Sequence, residues 1–172
     1  MRSKAVRRLT LSALLVTVML MLGYVESLIP TGVPGVKLGL SNSVLLLAIC
    51  WLGVPAALVL MLVKVVLSSL LFSGVSAMLY SLAGGVLSML AMILLLRVGH
   101  FHIVVAAIGG SVMHNVGQVA LAMWMLRTKE LVFYMAVLML VGLVTGFVTG
   151  TVAAALLRRL PQDLLPEKRE KP

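Results

Sequence analysis

Six apolar runs follow one another along the chain, and most of them are long enough to cross a membrane as a helix. Crossing the hydrocarbon core of a bilayer takes about 20 predominantly apolar residues. Short segments with charged residues, proline or glycine separate the runs, which is typical of helices joined by tight connections. We therefore predict an all-α integral membrane protein, a six-helix transmembrane bundle. The predicted spans are residues 9–28, 40–52, 55–72, 77–96, 103–126 and 131–157.

Composition excludes the class of soluble globular domains. Hydrophobic residues make up 62% of the 172 residues and charged residues 11%, whereas a soluble domain is about half apolar and a quarter charged. Residues 1–160 are predicted to form a single transmembrane domain, which leaves no room for a soluble catalytic domain. Residues 161–172 are charged and contain proline, so we expect a disordered cytoplasmic tail.

The net charge of +9 would indicate nucleic-acid binding in a soluble protein, but here it predicts topology. Six spans place both termini on one side, and loops with more Lys and Arg face the cytoplasm. Ten basic residues then lie on the side of the termini and three on the other side. We expect a multi-pass protein of the cell (cytoplasmic) membrane with both termini cytoplasmic, surrounded by lipid and without a nucleic-acid partner.

A loop rich in proline and glycine follows the first span. It contains Pro30, Pro34, Gly35 and Lys37, and such a segment cannot form an ordinary helix in lipid. One interpretation is that Glu26, near the end of the first span, pairs with Lys37 and holds the loop in place. The other is that the loop gates a cavity, because ordered loops at membrane depth commonly line binding sites.

The next run, residues 40–52, is short and begins with Ser41 and Asn42. It is either a short tilted helix or a re-entrant one. Asn42 would face the same region as the loop.

Lys64 lies near the middle of the third span, too deep to reach either surface easily. A central lysine costs roughly 2.5–3.5 kcal/mol on insertion scales, so it is a functional candidate. Ser68 lies one turn further along the same helical face. Lys64 either pairs with a carbonyl or carboxylate to join two helices, or binds an anion in a cavity.

The fifth span carries a polar face. Ser111, His114 and Gln118 are spaced i, i+3 and i+7 and share one side of the helix, with Asn115 on its flank. Lipid would not tolerate so many hydrogen-bonding groups, so the face is predicted to look inward. It forms either an interhelical network or part of a cavity wall with Lys64. A metal site is disfavoured because one histidine without Cys or Asp nearby is not a ligand set.

Small residues recur at a spacing of four in two spans. Gly142, Gly146 and Gly150 lie in the sixth span, and Ser81 and Gly85 lie in the fourth. Small residues at this spacing allow close helix packing, within one bundle or against a separate membrane partner.

Signatures of enzymes that act on nucleotides or diphosphates are missing from the sequence. It has no nucleotide-binding loop, and its only aspartate, Asp163, lies in the tail. An aspartate-rich magnesium site is therefore not available. We predict no cofactor and no self-contained catalysis.

Four segments together resemble a known family. They are residues 26–42, 64–72, 80–88 and 110–118, and they are similar to the Gx transporter family, also catalogued as heptaprenyl diphosphate synthase component I. That family looks like the substrate-binding S components of energy-coupling-factor transporters. Those are six-helix proteins that hold a vitamin or similar solute beneath the loop joining the first two helices. They depend on a separate membrane scaffold and ATPases.

The resemblance implies that residues 30–37 form a lid and that Lys64, His114, Asn115 and Gln118 form the cavity wall. One departure concerns the scaffold: the first span lacks the paired alanines that S components often use to contact it, and only Ala13 and Thr17 stand four residues apart. Two functions follow as expectations. The chain is either a transport subunit that binds a small anionic or amphipathic solute, or a non-catalytic membrane partner of a soluble polyprenyl diphosphate synthase.

Overall fold

The computed structural model describes residues 2–29 and 39–159, with side chains described from Ala5 onward. All regular structure in these ranges is helical, which confirms the all-α prediction. The helices are α1 (Arg2–Ser27), α2 (Asn42–Trp51), α3 (Val54–Ser68), α4 (Gly74–Arg97), α5 (Ile103–Leu126) and α6 (Leu131–Arg159), with a π-helical turn (Ser69–Ser73) between α3 and α4.

Four helical segments are long and apolar enough to cross a membrane, so this is a membrane protein. The segments are Ala5–Ser27, Val54–Arg97, Ile103–Leu126 and Leu131–Arg159. The predicted count of six separate spans is not confirmed, for two reasons. Helix α2 has ten residues and rises about 15 Å, half of the ~30 Å hydrocarbon thickness. The third and fourth predicted spans belong to one continuous helical segment.

That continuous segment folds back on itself at Gly74. Gly74 has φ +80° and ψ 171°, a conformation that is essentially restricted to glycine. The sulfur of Met61 on α3 lies so close to Gly85 on α4 that an added Cβ would approach it to 2.8 Å. In a straight helix these two residues would be about 36 Å apart. Helices α3 and α4 therefore pack side by side.

Helix α2 can be short because it lies inside the protein. Eight of its ten residues are buried, and Leu46 and Ala48 are fully buried. The neighbouring helices cover it, since α2 contacts α1, α3, α4, α5 and α6.

Helices α4, α5 and α6 form a closely packed group, called the α4–α6 unit below. A Cβ on Gly146 of α6 would lie 2.6 Å from the Cα of Ile108 on α5. A Cβ on Gly117 of α5 would lie 2.9 Å from the Cα of Gly84 on α4. Glycine at these positions lets the helix backbones approach each other, which is how helices associate in lipid.

Helix α1 lies outside the α4–α6 unit. Its backbone approaches α2, α3 and the π-helical turn, and among the described residues it does not come close to the backbone of α4, α5 or α6. The Tyr24 ring meets the Phe72 ring of the π-helical turn edge to face, with centroids 5.6 Å apart. Much of α1 is accordingly exposed to the surroundings of the protein.

Candidate functional site

Polar side chains from several helices meet around one small cavity. Its volume is about 10 Å³, which is about the space that one water molecule needs. The lining residues are Met19, Ser41, Asn42, Leu45, Met61, Lys64, Val65, Ser81, Gly85 and His114. We call this group the polar cavity.

Lys64 lines the polar cavity, and the buried Glu26, which is outside the lining, is its charged neighbour. Lys64 is 5% exposed and Glu26 is 1% exposed, and the Glu26 carboxylate interacts electrostatically with the Lys64 ammonium. The Leu40 backbone N–H donates a hydrogen bond to Glu26 Oε1. Opposite charge and a backbone donor offset part of the desolvation cost of both ions.

His114 and Gln118 occupy successive turns of α5. Their Nε2 atoms lie 2.9 Å apart, so the Gln118 amide N–H donates to the imidazole when that nitrogen is unprotonated. A Cβ at Gly84 of α4 would lie 2.9 Å from His114 Nδ1 and 2.8 Å from Gln118 Cγ. Glycine at position 84 therefore makes room for the pair, and His114 reaches the cavity wall.

Three buried polar atoms of the polar cavity have no hydrogen-bond partner among the described residues. They are Ser41 Oγ, Asn42 Nδ2 and Ser81 Oγ. Leaving such a group unsatisfied costs about 1–3 kcal/mol. The cavity thus concentrates unused hydrogen-bonding capacity beside the Lys64 ammonium, and this arrangement suits a small polar group.

The structure brings some of the predicted site residues together and separates others. Lys64, His114 and Asn42 line the polar cavity. Ser81 and Gly85, which were predicted to serve helix packing, also line it.

Four other predicted site residues do not line the polar cavity. Asn115 Nδ2 donates to the carbonyl of Leu138 on α6 over 2.7 Å, so Asn115 joins α5 to α6. Ser68 Oγ donates to the carbonyl of Val65 within its own helix over 3.3 Å. Ser111 is buried on α5 outside the cavity lining. Gln118 Nε2 lies 2.9 Å from His114 Nε2, and Gln118 is outside the cavity lining.

The remaining predictions concern the gating loop, the glycine stripe and metals. Pro30, Pro34, Gly35 and Lys37 lie outside the described residues, whereas Glu26 is described. Three glycines of α6 lie against α5, with added Cβ atoms 3.2 Å or less from its backbone. They are Gly142, Gly146 and Gly150. Within the described ranges no group of three His, Cys, Asp or Glu side chains could hold a metal ion.

Sequence reasoning missed the apolar part of the lining. Met61 precedes Lys64 by three residues, and Met19 precedes Glu26 by seven, so each shares a helical face with a charged residue. This spacing could have identified both methionines. Gly39 was also missed; its φ is +86°, and an added Cβ would approach Asn42 Nδ2 to 2.9 Å.

One comparison with known proteins finds a match. The family model of heptaprenyl diphosphate synthase component I matches residues 15–156. The match includes every residue of the polar cavity. No curated protein and no solved structure matches the chain.

Proposed function

The chain belongs to the heptaprenyl diphosphate synthase component I family, also called the Gx transporter family, and we propose that it is a membrane-embedded subunit that binds a small solute. The observation that carries this proposal is the polar cavity itself. Lys64, Asn42, Ser81 and His114 line one buried cavity of a membrane protein. Buried ionisable groups in membrane proteins commonly mark a substrate or ion path.

The lining residues indicate the class of solute. The Lys64 ammonium and the Asn42 amide are donors that suit an anionic or carbonyl-bearing group. Met19, Met61 and Leu45 offer an apolar wall for the rest of the molecule. A small anionic or amphipathic solute satisfies both halves of the lining.

A solute larger than water requires the cavity to widen. Helix α1 is the element suited to move, because its backbone stays apart from the α4–α6 unit. It carries Met19 in the cavity lining and the Glu26 carboxylate that interacts with Lys64. Outward movement of α1 would expose both sides of the polar cavity. Residues 30–37 would serve as the lid in this scheme.

The proposal includes the topology and the source of energy. Residues 1–160 form one transmembrane domain with six membrane segments and both termini cytoplasmic, as in the S components of energy-coupling-factor transporters. The chain is non-catalytic, so a separate scaffold and ATPases supply the energy for transport.

Native mass spectrometry of the full chain, purified in mild detergent, tests solute binding. We expect a bound small molecule on the wild-type protein and its loss from Lys64→Met. A matched pair of serines on α4 sharpens the test. Ser81 and Ser88 are both buried with an unpartnered Oγ among the described residues, but only Ser81 lines the polar cavity.

Ser81→Ala should therefore reduce occupancy, whereas Ser88→Ala should leave it unchanged. Retention of the same molecule at full occupancy by Lys64→Met would contradict the proposal. A folded Lys64→Met protein is verified by an unchanged elution volume in size-exclusion chromatography.

A second candidate function is supported by the family's name. In this alternative the chain is a non-catalytic membrane partner of a polyprenyl diphosphate synthase, and it assists synthesis of quinone precursors. It predicts that the chain co-purifies with a soluble, aspartate-rich synthase and that its deletion changes the synthase's product output. Unchanged output after deletion would count against it.

A further inference from the structure

The side chain of Glu26 places a carboxylate between two groups that bind anions. It is 1% exposed, and its Oε1 accepts a hydrogen bond from the Leu40 backbone N–H. Leu40 lies two residues before the first residue of α2, so the carboxylate lies at a helix N-terminus, where the helix dipole favours negative charge. The Lys64 ammonium interacts electrostatically with the same carboxylate. We call Lys64 and the backbone N–H of Leu40 the carboxylate site.

The end of the Lys64 side chain lies against α1, one turn from Glu26. A Cβ added at Gly23 would lie 3.9 Å from Lys64 Cε, and Gly23 precedes Glu26 by three residues, which is about one helical turn. Met19, about one turn earlier, lines the polar cavity together with Lys64. Lys64 therefore borders the polar cavity and Glu26 at once.

The turn before α2 connects the carboxylate site to the polar cavity. The Leu40 N–H donates to Glu26, and the next two residues, Ser41 and Asn42, line the polar cavity. Both of these side chains are almost fully buried. The carboxylate site and the polar cavity are therefore adjacent, joined at this turn and at Lys64.

The charges at the carboxylate site balance one for one. Within the part of the chain that the structure describes, Lys64 is the one lysine or arginine in the lining of the polar cavity, and a single carboxylate neutralises it. A buried charge without an opposite partner is costly. An anion that enters must therefore replace Glu26, since a second anion beside it would be unpaired. A dianion such as phosphate would leave a net negative charge, whereas a carboxylate would not.

We propose that the solute carries a carboxylate, which takes the place of Glu26 at Lys64 and at the Leu40 N–H. In the empty protein, Glu26 occupies the site that the carboxylate of the solute occupies in the complex. This inference rests on the proposed function, because it names the group by which the solute is recognised. Displacement of Glu26 releases α1 from Leu40 and Lys64, so binding is coupled to the outward movement of α1.

Unpartnered polar atoms in the polar cavity allow a solute to compete with Glu26. A carboxylate attached to the chain acts at a high effective concentration, so a simple carboxylate such as acetate should not displace it. Ser41 Oγ, Asn42 Nδ2 and Ser81 Oγ have no hydrogen-bond partner among the described residues, and all three residues line the cavity. A larger solute that bonds to these atoms gains binding energy that acetate lacks. The wild-type protein therefore selects a carboxylate with further polar groups.

Chemical rescue of Glu26→Ala by acetate tests the proposal. The substitution removes a CH₂–COO⁻ group, and acetate supplies the same group with one more hydrogen. The midpoint of thermal unfolding of the full chain in mild detergent should fall by at least about 6 °C, because Lys64 loses its partner. Saturating acetate should recover at least about 3 °C of this loss. Acetamide has nearly the same shape without the charge, and it should recover less than about 1 °C.

Matched controls separate the carboxylate site from general effects of acetate. The wild-type protein should not respond to acetate, because Glu26 already occupies the site. The double variant Glu26→Ala, Lys64→Met keeps the space but lacks the ammonium, so it should not respond either. Glu130→Ala removes an exposed carboxylate and should match the wild type with and without acetate. If Glu26→Ala does not survive ordinary purification, it is purified in acetate and in chloride, and a monodisperse protein in acetate alone is the expected result.

Several results would overturn the proposal. These are the absence of rescue by acetate in either form of the test, equal rescue by acetamide, and equal rescue by sulfate or phosphate, since the site would then accept anions in general. Native mass spectrometry distinguishes this failure from failure of the proposed function. If Lys64→Met loses its bound molecule and acetate does not rescue Glu26→Ala, the proposed function stands and the carboxylate inference fails. If acetate rescues Glu26→Ala and Lys64→Met keeps the molecule, both fail, and Glu26 only holds α1 in place.

Discussion

Helix α1 and the α4–α6 unit differ in how closely their backbones meet their neighbours. A Cβ added at Gly146 would lie 2.6 Å from the Cα of Ile108, whereas one added at Gly23 of α1 would find nothing nearer than Lys64 Cε at 3.9 Å. The first contact is backbone against backbone, and the second is an ordinary contact with a flexible side chain. Glycine is thus a packing requirement in the α4–α6 unit and not in α1.

The chemistry lies where these two regions meet. Helix α1 brings Met19 and Glu26, and the α4–α6 unit brings Ser81 and His114. Lys64 of α3 lies between them. A polar site at such a boundary can open by movement of the loosely held helix while the other wall keeps its geometry. The closely packed helices α4 and α5 thus supply one wall of the polar cavity, and the more loosely packed α1 supplies another.

The largest expected effect tests the close packing of the α4–α6 unit. Gly146→Ala places a Cβ against the α5 backbone, which cannot give way as a side chain can. We expect a loss of about 3 kcal/mol in the free energy of unfolding, at the upper end of typical overpacking costs. Thermal unfolding of the purified protein in detergent measures it. Wild-type stability would show that the helices separate easily. It would contradict the claim that the α4–α6 unit is packed more closely than α1.

A smaller loss is expected at Gly74, where the chain folds back between α3 and α4. Gly74 has φ +80°, and no atom would lie within 4 Å of an added Cβ. Gly74→Ala therefore isolates the backbone conformation, and we expect a cost of about 2 kcal/mol. Ser73→Ala is the control, because Ser73 has φ −122° and its Oγ has no partner among the described residues. Equal stability of the two variants would contradict this account of Gly74.

Two buried asparagines allow a residue of the polar cavity to be compared with a residue that joins two helices of the α4–α6 unit. Asn115→Ala removes the hydrogen bond to Leu138 between α5 and α6 and should cost about 1 kcal/mol. Asn42→Ala should cost less, since Asn42 Nδ2 has no partner among the described residues. Asn42→Ala should instead lower the occupancy seen by native mass spectrometry. If both variants lose the same stability and keep the same occupancy, Asn42 is a structural residue like Asn115.

The smallest effect is expected at Gly23 of α1. Gly23→Ala adds a methyl group at ordinary contact distance from Lys64, and alanine is the better helix former by about 1 kcal/mol. We expect unchanged or slightly raised thermal stability. A loss comparable to that of Gly146→Ala would mean that α1 is held as tightly as the α4–α6 unit.

Local patterns predicted the helices well. The fifth predicted span has the bounds of α5, and the other predicted ends lie within a few residues of the helix ends, apart from the N-terminal end of α1. Apolar length, glycine and proline act on neighbouring residues, so they can be read along the chain. The glycine spacing in the sixth span indicated a face for close helix packing without naming its partner, and in the structure these glycines lie against α5.

The polar groups were harder to assign. Lys64 and Asn115 both lie mid-helix with buried side chains, yet one lines a cavity and the other joins two helices. Periodicity places a residue on a face of its own helix. It does not say which helix that face will meet or at what distance.

The sequence by itself therefore determined that this protein is helical, where its helices run and that it lies in a membrane. Only the tertiary structure decided that α2 is enclosed by other helices, that α3 and α4 fold back at Gly74, and that Lys64, Asn42 and Ser81 line one cavity. The physical reason is the distance along the chain over which each property acts. Hydrophobic length and backbone preference are local properties, whereas cavities and clefts depend on the rotation and spacing of helices far apart in sequence.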